Sequence, residues 1–248
     1  MTGKLQLLQG FSLILLLAAF GTGSARAAAL ILNGGFESGF TSWTLADEAS
    51  GAAGATGGWF IQTGTTSPIN GVTVPAPPQG TDAAMTDALG PGSHSLLQPF
   101  TVPPGSAVTL SFDLFVGNQG GFFSPSSLDF NTIPNQQARV DILTSAAGAF
   151  ALGGSVVDNV LDPSADTANY VHYSFDITSF VGGGGTFKLR FAEVDNQATY
   201  LLGVDDVSIT SSSTAVPEPG SWLLAAILVS AFLGLAEVKR RAHFSNCR

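Results

Sequence analysis

VTLSFDLFV, residues 108–116, decides the fold class. Val108, Leu110, Phe112, Leu114 and Val116 fall on one face of an extended chain, and Thr109, Ser111 and Asp113 fall on the other. Successive side chains of a strand point to opposite faces, so this period of two describes a β-strand with one face in a core. The same alternation recurs further along. Val171, Tyr173, Phe175 and Ile177 alternate with His172, Ser174 and Asp176, while Phe187, Leu189 and Phe191 alternate with Lys188 and Arg190.

Around these segments, strands are predicted over Leu30–Leu32, Gly58–Gln62, Thr81–Thr86, Ser95–Val102, Ala138–Thr144, Tyr170–Ile177, Thr186–Val194 and Tyr200–Thr210. The Pro75-Ala76-Pro77-Pro78 cluster excludes helix and central strand. Asn118–Gln137 lacks periodicity and holds Pro125 and Pro134, which reads as a long loop. Gly182–Gly185 reads as a turn. No longer stretch between the chain's two ends carries a helical pattern. The expected architecture is all-β, an antiparallel β-sandwich over residues 28–210, with the jelly roll as its specific form.

The two ends read differently. Lys4, an apolar run from Phe11 to Phe20 broken only by Ser12, and the small-x-small triplet Ala25-Arg26-Ala27 describe a secretory signal over residues 1–27, cleaved between Ala27 and Ala28. At the other end a polar linker, 211–216, leads to Pro217-Glu218-Pro219. An apolar run from Trp222 to Ala236 follows, then Lys239, Arg240 and Arg241. As a helix that run spans about 22 Å, short of the ~30 Å hydrocarbon core, so a crossing over 222–238 leans on its flanks. The basic cluster holds the tail, 242–248, in the cytoplasm under the positive-inside rule.

This C-terminal segment resembles the PEP-CTERM sorting signal of Gram-negative bacteria, with Pro217, Glu218 and Pro219 on its motif and the apolar and basic elements in the same order. The resemblance implies processing by an exosortase, transient anchoring in the inner membrane, and a final place on the cell surface or in the matrix of a bacterium that makes exopolysaccharide. The ending AHFSNCR is longer than usual for such signals. A plain C-terminal membrane anchor is the alternative.

Charge narrows the partners. The chain carries 9 basic and 18 acidic residues. Between residues 28 and 216 only Arg139, Lys188 and Arg190 stand against sixteen acids, a formal net of −13. Nucleic acid and anionic lipid need a positive field, which leaves cations and neutral polymers, or acidity that serves solubility alone. The single cysteine, Cys247, lies beyond the apolar run, so the exported part is expected to hold together without disulfides.

The opening segment Asn33-Gly34-Gly35-Phe36-Glu37, followed by Trp43, resembles the first strand of galactose-binding-like jelly rolls, the fold of many carbohydrate-binding modules. Phe36 and Trp43 are expected in the core. The closing strand YLLGVDDVSIT is its expected neighbour. The resemblance implies a structural Ca²⁺ shared by Glu37 and Asp205. By strand parity Asp205 groups with Leu201, Gly203, Val207 and Ile209, so it is expected to face the core, where an unpaired carboxylate is costly. A Ca²⁺ ion or a set of backbone N–H donors would satisfy it. For sugar, the loops offer Trp59, Phe122 and Phe123 as stacking faces and Asn118 as an amide.

Catalytic motifs are absent: there is no G-x-S-x-G, no H-E-x-x-H, no phosphate-binding glycine loop and no Cys/His cluster at metal spacing. His94 and His172 read as surface or hydrogen-bonded residues. The expected protein is a non-enzymatic module that associates with exopolysaccharide. A structural or adhesive surface protein that binds other proteins, or a carbohydrate-active enzyme, are the other readings.

Overall fold

The computed structural model describes residues 27–49, 58–86, 91–213 and residue 227. The secretory signal before Ala27, the Pro217-Glu218-Pro219 motif, the apolar run apart from Ile227, and the tail lie outside the described residues. Among the described residues, no helix is long and apolar enough to cross a membrane.

The strands, in chain order, are β1 (Ala28–Ala29), β2 (Glu37–Phe40), β3 (Thr44–Ala49), β4 (Trp59–Thr63), β5 (Asp82–Thr86), β6 (Gly92–Val102), β7 (Ser106–Asn118), β8 (Gln137–Thr144), β9 (Val156–Leu161), β10 (Val171–Asp176), β11 (Gly185–Asp195) and β12 (Tyr200–Ser213). A four-residue helix, α1 (Thr178–Val181), joins β10 to β11. One antiparallel sheet runs β10-β7-β12-β5-β4 with β1 beside β12; the other runs β3-β6-β11-β8-β9.

Alternation explains how the sheets meet. Leu110, Phe112, Leu114 and Val116 of β7 share a buried cluster with Leu96 and Phe100 of β6 and with Leu189 and Phe191 of β11. Phe112 and Phe191 meet across the sandwich edge to face, with ring centroids 5.3 Å apart. Edge-to-face packing places a positive ring edge on a negative face and adds to the gain from burial. Phe36 and Trp43 join this core as expected, their rings 5.3 Å apart.

The opening and closing segments lie side by side, as expected, but the strand is Ala28–Ala29 rather than Leu30–Leu32. Ala28 pairs with Ser211 and Ala29 with Thr210, and Leu30 adds one further backbone bond, to Ile209. Regular pairing then breaks as the chain turns at Asn33, whose φ is +51°, and one bond beyond the turn, from Val207 N to Gly34 O, rejoins the two segments. Asn33 staples the turn: its Nδ2 donates to Gly39 O and Thr41 O, its Oδ1 accepts from Ser38 N, and its carbonyl accepts from Trp43 Nε1. Gly34 packs directly against the Val207 carbonyl, a place with no room for a Cβ.

Three expectations are corrected. Asp205 does not face the main core: a β-bulge between Asp205 and Ser208, with Asp206 at φ +46°, shifts the register by one residue. Leu202 and Val204 therefore face inward before the bulge and Val207 and Ile209 after it. Leu201 lies on the outer face, in a smaller cluster with Val74, Met85 and Phe115. Strand β12 also continues to Ser213, through half of the segment expected as linker. Finally, β2, β3 and β9 arise in stretches with no anticipated strand.

The outer face of β11 is likewise not open. Arg190 is wholly buried, because residues 147–151 fold across it. Its guanidinium donates to Asp141 Oδ2 and to the carbonyls of Ala149 and Ala151, while Arg139 donates to both oxygens of the same Asp141.

Candidate functional site

Glu37 and Asp205 are both occupied by one turn, Gln79–Asp82. Asp205 Oδ2 accepts from Gln79 N at 3.1 Å and Oδ1 from Asp206 N at 2.7 Å. Glu37 Oε1 accepts from Thr81 N at 2.8 Å and Asp82 N at 3.0 Å, and Oε2 from Thr81 Oγ1 at 3.0 Å. The amides of Thr81 and then Asp82 hold the Glu37 carboxyl below its ordinary range. Burial pushes Asp205 the other way, up to about 7, against the amides of Asp206 and Gln79. Backbone N–H donors, one of the two solutions open to Asp205 in the sequence, thus satisfy it here. Gln79 Oε1 takes the place a Cβ would fill at Gly35, and Asp205 Oδ1 lies nearby at ordinary contact distance from that point.

The four residues expected to meet sugar are in different settings. Trp59 is 4 % exposed and packs in the main core, so it offers no stacking face; this corrects its expected role. Asn118 is 8 % exposed; its Oδ1 accepts from Gly120 N and Gln136 Nε2 and braces the loop, while its Nδ2 is buried without a partner rather than presented to solvent. Phe122 is half-buried with its ring edge on Tyr200, 6.2 Å between centroids. Phe123 is 41 % exposed.

The loop that carries Phe123 is held at many points. Phe123 and Gln136 exchange backbone bonds at 3.0 and 2.9 Å. The Gln136 side chain accepts from Asn196 N and Gln197 N and donates to Ala198 O, and Asn196 Nδ2 donates to Phe130 O and Thr132 O. Amide groups with all their partners in place rigidify a loop without an apolar core. The long loop expected from its prolines is thus an ordered platform, with the Phe123 ring lying over Gly121 and partly open to solvent.

Beneath the same end of the sandwich lies a polar row that the sequence did not disclose. In the ladder of β3, β6 and β11, Asp47 stands opposite His94 and His94 opposite Glu193; in the next row on that face Gly92 stands opposite Asp195. His94 and Glu193 are 0 % exposed and Asp195 is 2 % exposed. His94 Nδ1 lies 2.7 Å from Asp47 Oδ1. His94 Nε2, both Glu193 oxygens and Asp195 Oδ1 have no hydrogen-bond partner. One donor atom from each of His94, Glu193 and Asp195 lies within 4.8 Å of the other two. Burial, reinforced by Asp195 and Asp47, drives the Glu193 carboxyl far above its ordinary range, and burial pushes Asp195 up to about 8.

The signal for this row was parity. Glu193 and Asp195 continue the inward face of Leu189 and Phe191, and His94 shares the inward face of Leu96, so extending those alternations to the strand ends places all three inside. By contrast, His172 fits its reading as a surface residue, 2.7 Å from Asp113 with most of its ring in solvent.

The sequence matches no protein-family profile and no curated protein. Among solved structures, the K3 adhesin domain of Lys-gingipain from Porphyromonas gingivalis w83 aligns at 17% identity over 75% of this chain and 99% of its own, with a TM-score of 0.46. A family 16 carbohydrate-binding module aligns at 14% identity over 73% of this chain and 98% of its own, TM-score 0.42. The Stig cyclase Fisc from Fischerella sp. TAU aligns at 18% identity over 76% and 99%, TM-score 0.46.

Proposed function

We propose that this chain is an exported, non-catalytic module of the galactose-binding-like jelly-roll class that associates with exopolysaccharide at the cell surface or in the matrix, after an exosortase processes its C-terminal signal. The observation that carries the reading is the Phe123 platform: an exposed aromatic ring on a loop braced by Gln136 and Asn196. Sugar rings stack on such faces, and a loop already rigid loses little entropy on binding. The secretory signal and the PEP-CTERM-like segment support export and sorting. The low positive charge between residues 28 and 216 favours a neutral polymer over an anionic one.

For a structural Ca²⁺, support comes from the sequence resemblance and from the oxygen-only chemistry of Glu37, Asp205 and the neighbouring Gln79 Oε1. The ion would use lone pairs that the Gln79–Asp82 amides leave over.

A glycan array probed with the full-length chain in detergent tests the glycan reading. Retention on a defined set of neutral polysaccharides is expected. Retention on none overturns it and favours a surface protein that binds other proteins; turnover of a retained polysaccharide favours an enzyme.

A further inference from the structure

We infer that His94, Glu193 and Asp195 form a site for one divalent metal ion of the Zn²⁺ type, buried beneath the loop-bearing end of the sandwich. Two carboxylates and an imidazole occupy alternate rows, on one face, of one strand ladder, and four of their polar atoms are buried with no hydrogen-bond partner. Native folds rarely leave such groups unmet, since an unpaired buried polar atom has given up its water and gained nothing in return. A divalent ion would take one of these atoms from each of the three residues and neutralise the paired acids.

The donor set selects the ion. Imidazole nitrogen with carboxylate oxygen suits Zn²⁺ and related ions, whereas Ca²⁺ takes oxygen donors only. With bonds of about 2.1 Å, two ligands of one ion lie at most about 4.2 Å apart, so a small side-chain adjustment closes the trio. Asp47 adds an outer partner. Its Oδ1 accepts from His94 Nδ1, which fixes the tautomer and leaves the Nε2 lone pair free to ligate. Gly92 makes the space: a Cβ there would run into His94 Nε2. A proton shared between Glu193 and Asp195 is the competing arrangement, and it leaves His94 Nε2 without a partner.

The test uses full-length chain purified in detergent and stripped with EDTA. Zn²⁺ added at a hundredfold excess over its Kd is expected to raise the melting temperature by roughly 5–10 °C. One equivalent is expected to remain after desalting, and Ca²⁺ at the same concentration is expected not to displace it. His94→Gln is expected to lose that equivalent, and Asp47→Asn, which keeps all three ligands, to weaken affinity about 10–100-fold. Folded wild-type protein that retains no Zn²⁺ overturns the inference. So does folded His94→Gln that retains a full equivalent. If His94→Gln fails to fold, the wild-type titration and Asp47→Asn decide.

Discussion

Glu37 and Asp205, from opposite ends of the described chain, accept the backbone amides of the same turn, Gln79–Asp82. The opening segment, the closing strand and an internal loop are thereby joined in one place, without a disulfide. Gly80 makes this geometry available. Its φ is +60°, and a side chain there would overlap the Glu37 carboxylate.

Asp205→Ala is expected to lower stability by about 1–3 kcal/mol, because the part-buried amide bonds from Gln79 and Asp206 lose their charged acceptor. Chemical denaturation followed by tryptophan fluorescence measures the change. Hydrogen exchange at Gln79 is expected to rise with it, and exchange at the distant Phe187–Thr144 pairing to follow only global stability.

Arg190→Ala is expected to cost about 2–4 kcal/mol, since it leaves the buried Asp141 with Arg139 as its one cationic partner and the carbonyls of Ala149 and Ala151 without the Arg190 donor. Arg190→Lys is expected to recover little, because one ammonium cannot reproduce the guanidinium's bonds to Asp141, Ala149 and Ala151 at once.

The same pair sets an acid limb. Burial opposes ionisation of Asp141, but the hydrogen bonds and charges of Arg139 and Arg190 outweigh it and hold the carboxyl below its ordinary range. A depressed carboxylate contributes stability that is fully present above the unfolded value near 4 and is lost as pH falls through the lower folded value. A melting-temperature series from pH 6 to pH 2 is expected to fall less steeply below pH 4 in Asp141→Asn than in wild type; parallel curves would remove Asp141 from the account.

Gly203→Ala is expected to destabilise by about 1–3 kcal/mol, because the added methyl meets the Tyr170 hydroxyl where it donates to Gln62 Oε1. Gly148→Ala, with open space around it, serves as the control and is expected to leave the thermal midpoint in place.

Much of this fold was legible because alternation reports directly on burial: Val108–Val116 and Phe187–Phe191 sit in the core as their patterns require. Other parts depend on information that no local pattern carries. A single αL residue, Asp206, reverses the parity of β12, so Asp205 points to the outer face although it shares spacing with Ile209. Strand β9 pairs with β8 through two register shifts, which erases any period. Trp59 and Phe123 are both aromatics beside glycine-rich sequence; only the tertiary fold buries one and exposes the other. The Asp47–His94–Glu193 row joins positions far apart in the chain, and register across strands is not written in any one of them.

The glycan claim is tested most directly by the affinity of the full-length chain for exopolysaccharide from a producing bacterium, compared among wild type, Phe123→Ala and Ile133→Ala. Ile133 is equally part of the loop and more exposed than Phe123, yet it has no ring to stack. The account predicts that Phe123→Ala weakens binding by about 5–100-fold, the range of one lost stacking contact, while Ile133→Ala stays near wild type. Equal binding by all three proteins, or no binding by wild type, would contradict it.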